Sequence, residues 1–77
     1  MDRRATIIDI LQRVSKKKIR PEADESLFDS GTLDSFALPD MVSELETAFQ
    51  VKIPDSDLNP RKFDSIERIE AYLDSRQ

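Results

Sequence analysis

A chain of seventy-seven residues without a cysteine or a histidine must fold without disulfides and without the usual ligands of a structural zinc site. Its length allows one compact core, so we expect a single domain over residues 1–77. Apolar residues make up 38% of the chain and charged residues 36%, a balance typical of a small folded domain rather than a disordered segment. The fold therefore depends on how the apolar residues are spaced.

Three stretches carry apolar residues at helical spacing, and each predicts a helix. These stretches are residues 3–17, 38–50 and 64–74. Asp2 is suited to cap the first helix, and either Asp64 or Ser65 is suited to cap the third. Glu67 follows Asp64 at the spacing of a capping box, which supports a helix start at this point.

The segments between these helices lack a helical period. Residues 21–34 predict a long ordered loop that is anchored to the core by three apolar side chains, Leu27, Phe28 and Leu33. Residues 55–58 predict a short helix of about one or two turns, because Asn59-Pro60 interrupts any continuation. The pattern thus predicts an all-α fold of three main helices and one short helix, with the long loop between the first two.

Charge is distributed unevenly along the chain. Sixteen acidic and twelve basic residues give a net charge of −4, which argues against nucleic acid as a partner. Residues 1–20 carry a net charge of +5, and residues 21–77 carry −9. The cluster of Lys16, Lys17, Lys18 and Arg20 fits either a patch for anionic lipid or nucleic acid or cations that favour a helix C-terminus, and we favour the second interpretation.

The absence of histidine and cysteine argues against several classes of function. Without histidine or cysteine it has neither the usual group for proton transfer near neutral pH nor a thiolate nucleophile, so we expect no enzymatic activity and no resident metal. No apolar run approaches the roughly 20 residues that span a bilayer, and the amino-terminal residues do not form a secretory signal. We therefore expect a cytoplasmic monomer without a membrane span.

The Asp34-Ser35 pair lies where the long loop meets the second predicted helix. A phosphate esterified to the Ser35 oxygen is favoured there by the positive end of the helix dipole. Asp34 would repel that phosphate directly, but it suits a ligand of Mg²⁺ that bridges protein, enzyme and a diphosphate donor. The alternative is that Ser35 is only an N-cap, since serine is common at that position.

Several motifs along the chain resemble the acyl carrier protein family. They are Asp34-Ser35-Phe36, Glu44-Leu45-Glu46-Thr47-Ala48-Phe49, Val51-Lys52-Ile53-Pro54, Phe63-Asp64-Ser65-Ile66 and the closing Tyr72. The resemblance covers nearly the whole chain and implies a four-helix bundle. It also implies that Ser35 receives 4'-phosphopantetheine from coenzyme A through a phosphopantetheinyl transferase, with Asp34 recognised by that transferase and its Mg²⁺.

The resemblance further implies an acyl or aminoacyl cargo, held as a thioester and delivered to loading and processing enzymes with basic patches. The residues expected to contact these partners are Phe36, Asp40, Met41, Glu44 and Glu46. Phe36 and Met41 are equally suited to packing within the domain. The alternative function is an unmodified helical interaction domain of the same fold. Phe36 after the serine departs from fatty-acid carriers, and the stretch Leu27-Phe28-Asp29-Ser30-Gly31-Thr32-Leu33-Asp34-Ser35-Phe36 looks closer to D-alanyl carriers and specialised stand-alone carriers.

Pro39 sets the start of the second helix. It has no N–H to bond to the carbonyl of Ser35, and its ring disfavours helical geometry at Leu38. Either residues 35–38 form a loose or 3₁₀ turn and the α-helix begins near Pro39, or the helix begins at Ser35 with a kink. We predict the first arrangement, in which Ser35 lies on a segment that is more mobile than the helix behind it.

Overall fold

The three predicted helices form in a computed structural model that describes residues 3–76. They are α1 (Arg3–Ser15), α2 (Leu38–Phe49) and α3 (Ile66–Arg76). Three 3₁₀ turns accompany them, at Ser35–Ala37, Asp55–Asp57 and Pro60–Phe63. The described residues form no strand, and the predicted all-α class is confirmed. The predicted cap Asp2 lies outside the described residues.

The short fourth helix takes a looser form than expected. The structure has one 3₁₀ turn at Asp55–Asp57 and a second at Pro60–Phe63, on either side of Asn59. The Asn59 side chain caps the second turn by accepting a hydrogen bond from the amide of Arg61 at 2.9 Å. Pro60 fits the first position of this turn, where its missing N–H leaves no bond unmade. The proline thus begins the second turn, whereas the first has already ended at Asp57.

α1 ends two residues earlier than the apolar pattern predicts. Lys16 adopts the left-handed conformation with φ of 60°, which stops the helix at Ser15. The Ser15 hydroxyl oxygen accepts a hydrogen bond from the amide of Lys17 at 3.2 Å, and Gln12 donates to the carbonyl of Ile19 at 2.9 Å. The lysines therefore follow the helix in an ordered connection instead of forming its last turn.

The core collects one face of each helix and the apolar anchors of the connections. The fully or nearly buried residues are Ile7, Ile10, Leu11, Leu27, Leu33, Leu38, Met41, Val42, Leu45, Ile53, Phe63, Ile66, Ile69 and Leu73. The Phe63 ring packs against the Tyr72 ring, with 4.9 Å between centroids. No helix within residues 3–76 is long and apolar enough to cross a bilayer. Burial of this apolar set supplies the main stabilisation of the domain.

The long loop between α1 and α2 is held in place by Asp64. The Ser26 hydroxyl donates to the Asp64 carboxylate at 2.8 Å, and the amide of Phe28 donates to the same group at 3.3 Å. The amide of Leu27 donates to the Asp64 carbonyl at 2.6 Å. We call these contacts the Asp64 clamp. Because Asp64 is engaged in this way, Ser65 caps α3, accepting a hydrogen bond from the amide of Arg68 at 3.1 Å.

Two of the three predicted anchors of the loop are buried. Leu27 and Leu33 lie in the core, and the amide of Leu33 donates to the carbonyl of Leu27 at 2.8 Å. Phe28 is half-buried against the core. Gly31 turns the chain between Leu27 and Leu33. Its φ of 82° lies in the left-handed region, where a residue with a side chain would be strained. The loop therefore reaches Asp34 from a fixed direction.

Loss of the Asp64 carboxylate is expected to destabilise the domain. In Asp64→Ala the Ser26 hydroxyl and the Phe28 amide lose a half-buried acceptor, so we predict a loss of about 1–3 kcal/mol in the free energy of unfolding. Asp29→Ala is the matched control, since that exposed carboxylate accepts no hydrogen bond within residues 3–76. Urea unfolding measures both variants. Equal stability of the two would contradict the role assigned to the clamp.

Tyr72 is expected to make stability depend on alkaline pH. Its hydroxyl donates to Asp57 at 2.6 Å, and burial together with this carboxylate raises the pKa of Tyr72 from 10.0 to about 12. The folded state therefore keeps the proton longer than the unfolded chain, and the stabilisation present below pH 10 is lost as pH rises towards 12.

Unfolding curves measured across that pH range test this. Wild type is expected to lose stability more steeply than Tyr72→Phe, which has no phenolic proton to lose. Lysines titrate in both proteins, so the difference between the two curves isolates Tyr72. Parallel curves would show that the phenol has the same pKa in the folded and unfolded states.

Candidate functional site

Ser35 lies at the surface, as the first residue of the 3₁₀ turn Ser35–Ala37, which we call the Ser35 turn. Its carbonyl accepts a hydrogen bond from the amide of Leu38. Its hydroxyl has no hydrogen-bond partner among the residues that the structure describes. The Ser35 side chain is therefore exposed and chemically unengaged.

Asp34 caps the Ser35 turn. One carboxylate oxygen, Oδ1, accepts hydrogen bonds from the amide of Phe36 at 3.0 Å and from the amide of Ala37 at 3.1 Å. The interpretation of Ser35 as the cap is therefore wrong, because the residue before it has that position. The second oxygen, Oδ2, accepts no hydrogen bond within residues 3–76. No cluster of acidic residues in the described part of the chain is suited to hold a metal ion by itself.

Pro39 acts as predicted. Residues Ser35–Ala37 form a 3₁₀ turn, and α2 begins at Leu38 with the proline in its first turn. The Leu38 amide bonds to the Ser35 carbonyl three residues back, which is the 3₁₀ pattern. An α-helical hydrogen bond to the Ser35 carbonyl would come from the N–H of residue 39, and Pro39 has none. The serine is thus separated from α2 by a turn held by a few exposed hydrogen bonds.

Two of the five expected partner contacts lie exposed beside Ser35. Phe36 is 88% exposed, and it is the large apolar residue with the most solvent contact in the described chain. Asp40 is exposed on the first turn of α2. An aromatic ring left in water next to an unengaged serine is suited to contact with another protein.

The other three expected contacts have partners inside the domain. Glu44 pairs with Arg13 of α1 at 3.1 Å, and Glu46 accepts a hydrogen bond from the amide of Ile53 at 2.9 Å. Met41 is fully buried in the core. The expectation that Met41 contacts partners is corrected, because its position on the apolar arc of α2 turns it inward. The exposed surface near Ser35 is therefore smaller and less acidic than the sequence suggests.

A cleft beside the Ser35 turn contains residues that the motif did not indicate. It has a volume of about 340 Å³ and separates the end of α1 from the turn. Lys16 and Lys17 line one side, and Asp34, Phe36 and Asp40 line the other. We call it the lysine cleft. The signal in the sequence was the basic cluster, but local spacing did not show that Lys16 and Lys17 line a cleft together with the two neighbours of Ser35.

The Ser35 turn fits attachment of a phosphate ester. Substitution at the hydroxyl breaks no hydrogen bond, and the group extends from an exposed position. The serine has no neighbouring histidine or cysteine to activate it, since the chain contains neither. The fold and the site together define a carrier-type helical domain, which presents a surface serine ahead of its second helix.

The chain belongs to the family of phosphopantetheine-attachment domains, whose model, described as a phosphopantetheine attachment site, matches residues 5–73. It is a carrier protein, and its prosthetic group is 4'-phosphopantetheine. When bound, this group supplies a terminal thiol that holds an acyl or aminoacyl cargo as a thioester. Carriers of this kind are generally not catalysts and interact with transferase and loading enzymes.

Curated relatives match the chain over most of its length. A D-alanyl carrier protein of Lactobacillus acidophilus is 31% identical over 75 residues, which cover 97% of this chain and 95% of the relative. The D-alanyl carrier protein of Lactobacillus helveticus matches to the same extent. That of Streptococcus equi subsp. zooepidemicus is 30% identical over 69 residues, or 90% of this chain and 87% of the relative.

The Ser35 turn is expected to open more often than α2. Its amides bond to an exposed carboxylate and an exposed carbonyl, whereas residues 42–46 lie inside the helix above the buried Val42 and Leu45. Amide hydrogen exchange followed by NMR should therefore be faster at residues 36–38 than at residues 42–46. Slower or equal exchange at residues 36–38 would contradict the predicted mobility of the turn.

Proposed function

We propose that Ser35 is the residue to which phosphopantetheine is attached. The Ser35 hydroxyl oxygen attacks the phosphorus that bears the pantetheine half of coenzyme A, and a new oxygen–phosphorus bond forms. The bond to the nucleotide half breaks, and adenosine bisphosphate leaves. The hydroxyl proton passes to a base of the phosphopantetheinyl transferase, since the chain contains no histidine to accept it.

The observation that carries this proposal is the division of roles between two adjacent residues. Asp34 caps the turn, which leaves the Ser35 hydroxyl without a partner at the surface. The second oxygen of Asp34 is available to a Mg²⁺ ion brought by the transferase with the diphosphate of coenzyme A. The carboxylate that shapes the turn is thereby also a recognition element for the transferase.

We propose an aminoacyl cargo, with D-alanine as the first candidate. The support is that curated relatives covering most of the chain are named D-alanyl carrier proteins. The stretch of residues 27–36 also resembles that branch. The cargo would be loaded by an enzyme that activates the amino acid and transfers it to the thiol of the arm.

Partner enzymes are proposed to read the exposed surface beside the serine. Phe36 offers an apolar contact, and Asp40 offers a carboxylate that forms no ion pair within residues 3–76 to a basic patch. Glu44 is secondary because it already pairs with Arg13. The chain would act as a monomeric, non-catalytic carrier in the cytoplasm, where it meets coenzyme A and its transferase. An unmodified docking domain of the same fold is the alternative, and no contact in the structure favours it.

Mass spectrometry of the modified chain tests the attachment residue. Incubation with coenzyme A, Mg²⁺ and a broad-specificity transferase should add one phosphopantetheine to wild type and none to Ser35→Ala. Ser43→Ala is the matched control, since Ser43 is an exposed serine on α2 with no side-chain hydrogen bond in the described chain. This variant should gain the same mass as wild type.

The same samples then test the cargo. A D-alanine-activating enzyme with ATP should add one alanyl group to the modified wild type, and hydroxylamine should remove it as expected for a thioester. No gain of phosphopantetheine, or a gain that survives Ser35→Ala, would refute the attachment proposal. Attachment without alanyl transfer would refute only the cargo.

A further inference from the structure

We propose that Lys16 and Lys17 bind the phosphate diester of the arm once it is attached to Ser35, so that the lysine cleft is a resting place for the near end of the arm. This inference rests on the proposed attachment at Ser35. It assigns a binding role to the basic segment that follows α1, which the carrier function alone does not explain.

The position of the lysine cleft carries the first step. One wall is formed by the end of α1 and its continuation, from Val14 to Lys17. The opposite wall is formed by residues on both sides of Ser35, including its neighbours Asp34 and Phe36, although Ser35 itself does not line the cleft. A group attached to the Ser35 oxygen therefore begins next to this cleft. Its volume of about 340 Å³ is within the usual range for small-molecule sites.

The charges around the cleft carry the second step. Asp34 and Asp40 line it and form no ion pair with the residues that the structure describes, and a phosphate diester beside them adds a further negative charge. Lys16 and Lys17 also form no ion pair within residues 3–76, although they line the same cleft. A phosphate between the two walls would contact the lysines and offset the repulsion from the carboxylates.

The cations at the end of α1 differ from those within it. Arg3 pairs with Asp74, Arg4 pairs with Glu70 at 2.8 Å, and Arg13 pairs with Glu44 at 3.1 Å. These arginines are used to hold the helices together. Lys16 and Lys17 form no ion pair with another helix in the described chain, so their charges are available to an anion.

The local backbone carries the third step. The left-handed conformation of Lys16 ends the helix, and the hydrogen bond from the Lys17 amide to the Ser15 hydroxyl orders the residues that follow. The two lysine backbones are therefore ordered while their ammonium groups are unengaged. Val14 and Ala37 give the cleft apolar surface, which suits the methyl groups of the pantetheine moiety next to the phosphate.

Lys18 provides a matched control. It belongs to the same basic cluster and is exposed, but it does not line the cleft. Lys18→Gln removes the same charge from the same connection as Lys16→Gln or Lys17→Gln. An effect of net charge alone would be the same for all three substitutions, whereas binding in the cleft would distinguish them.

NMR of the apo and pantetheine-modified protein tests the inference. On modification of wild type, amide resonances of residues 14–17 should shift together with those around Ser35, and added salt should reverse the shifts at residues 14–17. The double variant Lys16→Gln/Lys17→Gln should keep the shifts around Ser35 and lose those at residues 14–17. Lys18→Gln should behave as wild type.

Lysine acetylation with a small reagent gives an independent readout. Modification of Ser35 should lower the reactivity of Lys16 and Lys17 severalfold and leave that of Lys18 unchanged. Shifts confined to the neighbourhood of Ser35 in modified wild type would overturn the inference, and so would shifts at residues 14–17 that persist in the double variant. A sample whose mass shows no phosphopantetheine on Ser35 would overturn the proposed function as well, and the mass is measured first.

Discussion

The placement of Ser35 depends on the hydrogen bonds that the Asp64 carboxylate accepts from the long loop. It holds residues 26–28 against the start of α3, and Leu27 and Leu33 then enter the core from a loop whose path is fixed. A loop of this length would otherwise have many conformations, at an entropic cost of roughly 1–2 kcal/mol for each ordered residue. The clamp brings that loop to Asp34 in one position, so the serine is presented at a defined place on the domain.

At the end of the loop, three nearby residues have different roles in presenting the serine. Asp34 accepts the hydrogen bonds of the turn, Pro39 delays the α-helix, and Ser35 is left with an unengaged hydroxyl at the surface. Each residue would be ordinary alone, since caps and prolines are common at helix starts. Together they hold a reactive oxygen away from the helix, where a transferase can approach it. The carrier contributes presentation, and the catalytic groups belong to its partners.

The sequence allowed prediction wherever the physical cause was local. Apolar periodicity located three helices, and the missing N–H of Pro39 predicted the 3₁₀ turn before α2. The role of Asp64 was missed because its partners lie 36 and 38 residues away, so the capping-box spacing with Glu67 favoured a local cap instead. Met41 was placed on a partner surface although it shares the buried arc of α2. A contact between distant segments decided the role of Asp64, whereas the burial of Met41 follows from its position on the apolar arc of α2.

The central claim is that this carrier holds its phosphopantetheine on Ser35, and the chain recovered from its own cells tests it most directly. Tandem mass spectrometry of a proteolytic peptide spanning residues 19–52 can distinguish Ser35 from the other serines of that peptide, Ser26, Ser30 and Ser43. The account predicts phosphopantetheine on Ser35 and on no other residue. A chain recovered entirely without the group, or carrying it on another serine, would contradict the account.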